Sequence, residues 1–289
     1  MKSIAAAFAT IVILLAGCDG GSDSAAPNPV ERLGLIETTE GRALVEDAAV
    51  AANAILKLQV DSISLTVSWE PKATDVKSTI TVYLLDGSRV PSSYSVMVPN
   101  NCRCIFFQPE AFAAWLAAHS TADPQMLSIE PKDVLTFMFL HEIGHIVHGD
   151  PGQFEAQNQQ SSYNTDKTTQ KAREEAADEY AVNLVAVASR GKNSLDAWMA
   201  AMNVQLVLTN LSWNMAEQRF LLHFGATALC SRSVFVDAGY SHPNFELRML
   251  MANDMLAQTA LSRQLLENFQ ACRSTPPSPV LFENRSTAQ

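Results

Sequence analysis

His141 and His145 stand four residues apart, with Glu142 directly after the first, in the run Phe139-Leu140-His141-Glu142-Ile143-Gly144-His145-Ile146. On a helix, positions i and i+4 lie about 40° apart around the axis and about 6 Å along it. Two imidazoles so placed can both reach one tetrahedral Zn2+ ion, leaving part of its coordination open. Glu142 lies about 100° further round. It flanks such an ion without ligating it and is placed to act as general base on a water molecule there. The neighbours Phe137, Met138, Phe139, Leu140, Ile143, Ile146 and Val147 are apolar. Two His and a Glu on an apolar helix need partners, because burying polar groups without them is costly.

A third ligand has to come from elsewhere. A third His six residues after His145, with Gly at the third, would complete one known arrangement. Here those positions hold Pro151 and His148, so that arrangement is excluded. The next polar-and-apolar helix carries Arg173-Glu174-Glu175-Ala176-Ala177-Asp178. Glu174 and Asp178 are i and i+4 on one face, and Ala177 beside them is small enough for close approach. Glu174 is the expected third ligand, with Glu175 as rival, since i to i+3 spacing to Asp178 also shares a face. Asp178 is then expected to accept a hydrogen bond from the free N–H of a ligand His and set its tautomer. His148 lies on the same face as His141 and His145. It reads as a helix-end His meeting the last carbonyls.

These elements, together with Ser241-His242-Pro243-Asn244-Phe245-Glu246-Leu247-Arg248, resemble the gluzincin metallopeptidases. Within these the similarity is to the group containing the CAAX prenyl proteases and the bacterial heat-shock membrane proteases. It spans roughly Val134 to Met251. The N-terminal part matches loosely, and the membrane helices of the integral-membrane members are absent. The resemblance implies a zincin-like fold and a metallo-endopeptidase acting on peptides or proteins with one Zn2+. It also implies that His242 donates a hydrogen bond to the developing oxyanion, with Arg248 as its helper. The alternative is a non-catalytic zinc-binding envelope lipoprotein with an immunity, assembly or chaperone-like role. An intact Glu142 argues against that, because a structural site has no use for a base and prefers four protein ligands.

The positioning elements follow from periodicity. Residues 40–58 carry Leu44, Ala48, Ala51 and Ile55 at helical spacing. Segments 62–67, 78–85 and 94–98 alternate as strands, and Arg103–Phe107 is a short apolar strand. That strand reads equally as core or as an edge able to pair with an extended peptide. Helices are expected over 110–119, 131–148, 168–189, 194–208, 214–229 and 244–271. The Asp86-Gly87 turn signal suggests hairpin pairing. The fold class is therefore α+β, with a small N-terminal antiparallel sheet followed by a mostly helical domain. That domain covers residues 40–273, and 274–289 form a tail.

The 289 residues are 47% hydrophobic with a net charge of −10. That balance is globular and argues against nucleic acid as a partner. Residues 1–17 read as a signal peptide, since Lys2 precedes an apolar run ending in Leu15-Ala16-Gly17-Cys18. That ending is similar to the cleavage and lipidation site of bacterial lipoproteins. The expected chain is anchored to a membrane through a lipid on Cys18, tethered by residues 18–39, with its catalytic domain on the periplasmic side of the envelope. Of the other cysteines, Cys102 and Cys104 sit two apart on an expected strand, where a disulfide would be strained. Cys230 and Cys272 lie near the ends of two expected helices and could pair, with the connectivity of the four cysteines left open.

Overall fold

A computed structural model describes residues 41–59, 62–70, 78–85, 95–99, 102–119, 129–150, 167–191, 194–218, 245–260, 262–264 and 266–267. The signal peptide, Cys18 and the tether fall outside these residues, as do 151–166, Cys230, His242, Cys272 and the tail. The described elements are helix α1 (Arg42–Leu56), strands β1 (Ser64–Ser68), β2 (Thr79–Leu84), β3 (Val96–Met97) and β4 (Cys104–Phe107), then helices α2 (Pro109–His119), α3 (Pro131–His148), α4 (Lys167–Arg190), α5 (Leu195–Gln218) and α6 (Phe245–Ala257). The chain is α+β, with the sheet in its N-terminal part. None of the described helices is long and apolar enough to cross a membrane.

The sheet order is β1-β2-β4-β3, and its direction corrects the expected antiparallel sheet. β1 runs parallel to β2 and β2 parallel to β4; only β3 is antiparallel, to β4. The reason is visible in burial. Ile80 to Leu85 and Cys104 to Phe107 are buried without alternation, as strands covered on both faces must be. One face (Ile80, Val82, Leu84, Ile105, Phe107) joins the helical core. The other (Tyr83, Leu85, Met97, Cys104, Phe106) forms a separate apolar cluster. β4 lies between β2 and β3, and β3 pairs with it at Phe106 and Phe107, so β4 is an inner strand of the sheet rather than its edge.

The expectation that strain disfavours a Cys102–Cys104 bond is also corrected. Cys102 is bonded to Cys104. Two residues apart in a strand lie about 6.6 Å from one another. Here Arg103 is a bend, the strand begins only at Cys104, and the two Cα atoms are 5.2 Å apart, within reach of a disulfide.

Helix α3 is framed by its own sequence. Pro131 opens it and Asp133 lies in its first turn, where a carboxylate suits the positive end of the dipole. Gly149, left-handed at φ 71, ends it. Residues 133–137 and 139–145 are all buried, because α1 packs on one side of the helix and α4 on another, with α5 behind. Gly144 is where α3 and α4 meet: a Cβ there would lie 2.9 Å from Ala177 Cα and 3.1 Å from Ala177 O. Both atoms are backbone and cannot rotate away. Gly144→Ala should therefore push the helices apart, destabilise the protein by about 1–3 kcal/mol and weaken metal uptake. Thermal unfolding and metal analysis of the variant check both effects.

α5 runs unbroken through residues 209–213, where a gap between two helices was expected; residues 219–229 of the second lie outside the described residues. The polar residues near its middle do not break it. Thr209 Oγ1 donates to Gln205 O at 2.9 Å, Ser212 Oγ donates to Leu208 O at 2.7 Å, and both hydroxyls also meet α6, at Asn253 and Met249 O. Conversely the helix expected over 244–271 is interrupted: α6 ends at Ala257, residues 260, 262–264 and 266–267 are helical again, and 268–271 lie outside the described residues. Gln258 turns to φ 48, and Thr259 Oγ1 caps the next turn by accepting from Ser262 N–H at 2.9 Å.

Candidate metal centre

The close contact at Gly144 and Ala177 sets the face of α3 that carries both His against the face of α4 that carries Glu174 and Asp178. All four side chains are buried. His141 Nε2 and His145 Nε2 are 3.1 Å apart. Glu174 Oε2 lies 3.4 Å from the first and Glu174 Oε1 lies 3.5 Å from the second. Donors about 2.0–2.2 Å from one tetrahedral ion are separated by about 3.3–3.6 Å, so these three side chains have the spacing of a ligand set. Glu174 is 4% exposed, whereas Glu175 is only half-buried. The helix crossing thus turns Glu174, not its neighbour, toward the imidazoles. Among the described residues, His141, His145 and Glu174 are the one such cluster.

Each imidazole has its second nitrogen engaged. Asp178 Oδ1 is 2.9 Å from His141 Nδ1. Asp150 Oδ2 is 2.9 Å from His145 Nδ1. A carboxylate can only accept, so each ring donates from Nδ1, which leaves Nε2 as the atom each neutral ring would offer to a metal.

Arg248, from α6, spans the same cluster. Its Nε and Nη2 donate to Asp178 Oδ2 and Oδ1 at 2.7 and 2.9 Å. Nη1 is 3.2 Å from Glu174 Oε2, and Nη2 lies 3.2–3.3 Å from the two His141 nitrogens. The guanidinium is therefore committed to the carboxylates. His242, which the resemblance placed at the oxyanion, lies outside the described residues.

The charges respond to this crowding. Burial alone would raise the Glu174 carboxyl; Arg248 and the imidazoles prevail and hold it well below the carboxylate range. Burial likewise opposes ionisation of Asp178, but Arg248 and His141 bring it down to about 2. Burial and Arg248 disfavour protonation of His141; the Asp178 and Glu174 carboxylates outweigh both and push it up to about 10. Burial also disfavours the Arg248 cation, yet Asp178 and Glu174 raise its pKa further. The cluster thus attracts positive charge to the place where the three ligand atoms meet.

Glu142 differs from the rest. Burial raises its pKa, with the two imidazoles opposing. Its Oε2 atom is buried and has no hydrogen-bond partner among the described residues. An orphaned buried carboxylate oxygen beside a ligand set fits a group that takes its partner only when metal and water are present. His148 is exposed, and its ring meets Tyr180 edge-on at 5.8 Å rather than entering the cluster.

Sequence reasoning missed Asp150 and Arg173. Arg173 Nε is 3.4 Å from Asp150 Oδ1. The available signal was Gly149-Asp150 directly after the helix, since a glycine that reverses the chain returns the next residue to the last turn.

No curated protein and no solved structure matches the chain. Residues 132–263 match the profile of the family described as Peptidase U49. That span runs from the first turn of α3 past the end of α6 and contains every residue of the cluster. Over it, the chain is similar to a family of peptidases.

Proposed function

We propose that the protein is a zinc-dependent endopeptidase, with His141, His145 and Glu174 as the metal ligands and Glu142 as the general base. The observation that carries this reading is the meeting of two imidazole Nε2 atoms and one carboxylate at 3.1–3.5 Å, next to a buried Glu142 oxygen with no partner among the described residues. Similarity to a peptidase family over the same residues supports it. Two His and one Glu are a ligand set that leaves a divalent ion a place for a reactant.

A bound Zn2+ supplies Lewis acidity, polarising the scissile carbonyl and making water acidic near neutral pH. Glu142 accepts the proton of the attacking water and delivers it to the amide nitrogen as the C–N bond breaks, giving a carboxylate and an amine. Its raised pKa suits a group that must both take and return a proton. Asp178 holds the His141 tautomer, and Arg248 holds Asp178 and Glu174 in place. His242 is the proposed donor to the oxyanion, on the strength of the resemblance.

The purified chain should contain about one zinc ion and cleave casein or a peptide library. Chelation should abolish cleavage and added Zn2+ should restore it. Glu174→Ala should lose the metal. Cleavage that survives complete chelation would overturn the metallopeptidase, and full metal content in Glu174→Ala would move the third ligand elsewhere.

A further inference from the structure

The turn that ends α3 contributes to the metal site. Gly149 N–H donates to Ile146 O at 3.3 Å and Asp150 N–H donates to His145 O at 3.0 Å. These are the two bonds of a Schellman motif, in which the residue after the glycine lies over the third residue from the helix end. That contact is commonly apolar. Here it joins a carboxylate to an imidazole, Asp150 Oδ2 to His145 Nδ1 at 2.9 Å. The helix stop itself is made by backbone atoms and needs no acidic side chain, so the Asp150 carboxyl is free to serve His145.

We infer that Asp150, backed by Arg173, is a positioning residue for the metal: it holds His145 in the Nδ1–H tautomer and aims Nε2 at the ion. This rests on the metal-site reading above and extends it. The two ligand histidines are served unequally. Asp178, on α4, is gripped by two N–H groups of Arg248. Asp150 follows the helix stop and has one longer contact, to Arg173 Nε at 3.4 Å, and the Arg173 side chain is 31% exposed. Arg173 immediately precedes Glu174, so the turn of α4 that presents the third ligand also steadies the partner of the second.

The test is the affinity of the full chain for Zn2+ and Co2+ alone, measured by competition with a chromophoric chelator. Asp150→Ala should bind both ions about 10–100-fold more weakly, while the metal-free protein loses only what one part-buried hydrogen bond contributes, because the backbone cap remains. Asp150→Asn keeps an acceptor for Nδ1–H and should recover part of the loss. Three results would each overturn the inference: binding by Asp150→Ala within twofold of wild type, no recovery with Asn, or an equal loss of stability in the metal-free variant. If the wild-type chain takes up neither ion, the metal site itself fails, and this inference with it. If wild type binds and Asp150→Ala binds equally, only the role of Asp150 fails.

Discussion

Glu142→Gln should leave the metal bound and slow peptide hydrolysis by about 10²–10⁴-fold, the range contributed by one well-placed acid–base group. The amide has nearly the shape of the carboxyl, so packing around this 7%-exposed side chain is preserved. What is lost is the ability to accept a proton. Glu142 has no partner for Oε2 among the described residues, so its removal breaks no structural hydrogen bond at that atom. Burial that raises its pKa would be a liability in a side chain with no reaction to serve. Metal content together with kcat on a peptide substrate reads the effect. Wild-type kcat in Glu142→Gln would remove Glu142 from the mechanism while leaving the ligand set untouched.

Arg248→Met should destabilise the metal-free protein by about 3–5 kcal/mol, the usual cost of removing one partner from a buried ion-pair network. Met keeps much of the aliphatic volume, so the loss reports charge rather than a cavity. Asp178 would lose both of its guanidinium bonds and Glu174 its ion pair, leaving two buried carboxylates without their cation. Urea unfolding measures the loss. Saturating Zn2+ should return part of it, because a ligand that binds only the folded chain adds stability and supplies the missing positive charge. Adding Asp178→Asn should cost less than the sum of the single changes, since the two residues share one network. Strict additivity would show that Arg248 acts elsewhere.

The local chemistry was readable before any coordinates. His141, Glu142 and His145 are related by helical geometry alone, and Pro131 and Gly149 bound their helix at the residues where the structure begins and ends it. Glu174 and Asp178 share a face for the same reason. The choice between Glu174 and Glu175 was not readable. The two differ by about 100° around one helix, and the crossing set by Gly144 against Ala177 decides which turns inward.

What the sequence determined, then, is everything governed by neighbours within a turn or two: the helices, the strand segments, the paired imidazoles and the α+β class. Tertiary structure alone decided the rest. Parallel pairing came with burial of β2 and β4 on both faces, which short alternating runs beside an Asp86-Gly87 signal did not reveal. The middle of α5 stayed helical because Thr209 and Ser212 found partners on α6. A bend at Arg103 joined Cys102 to Cys104. Arg248, 70 residues beyond Asp178 in the chain, reached the carboxylates because α6 packs against α4 and α5. Contacts of that span depend on how whole helices cross, and no local periodicity encodes the crossing.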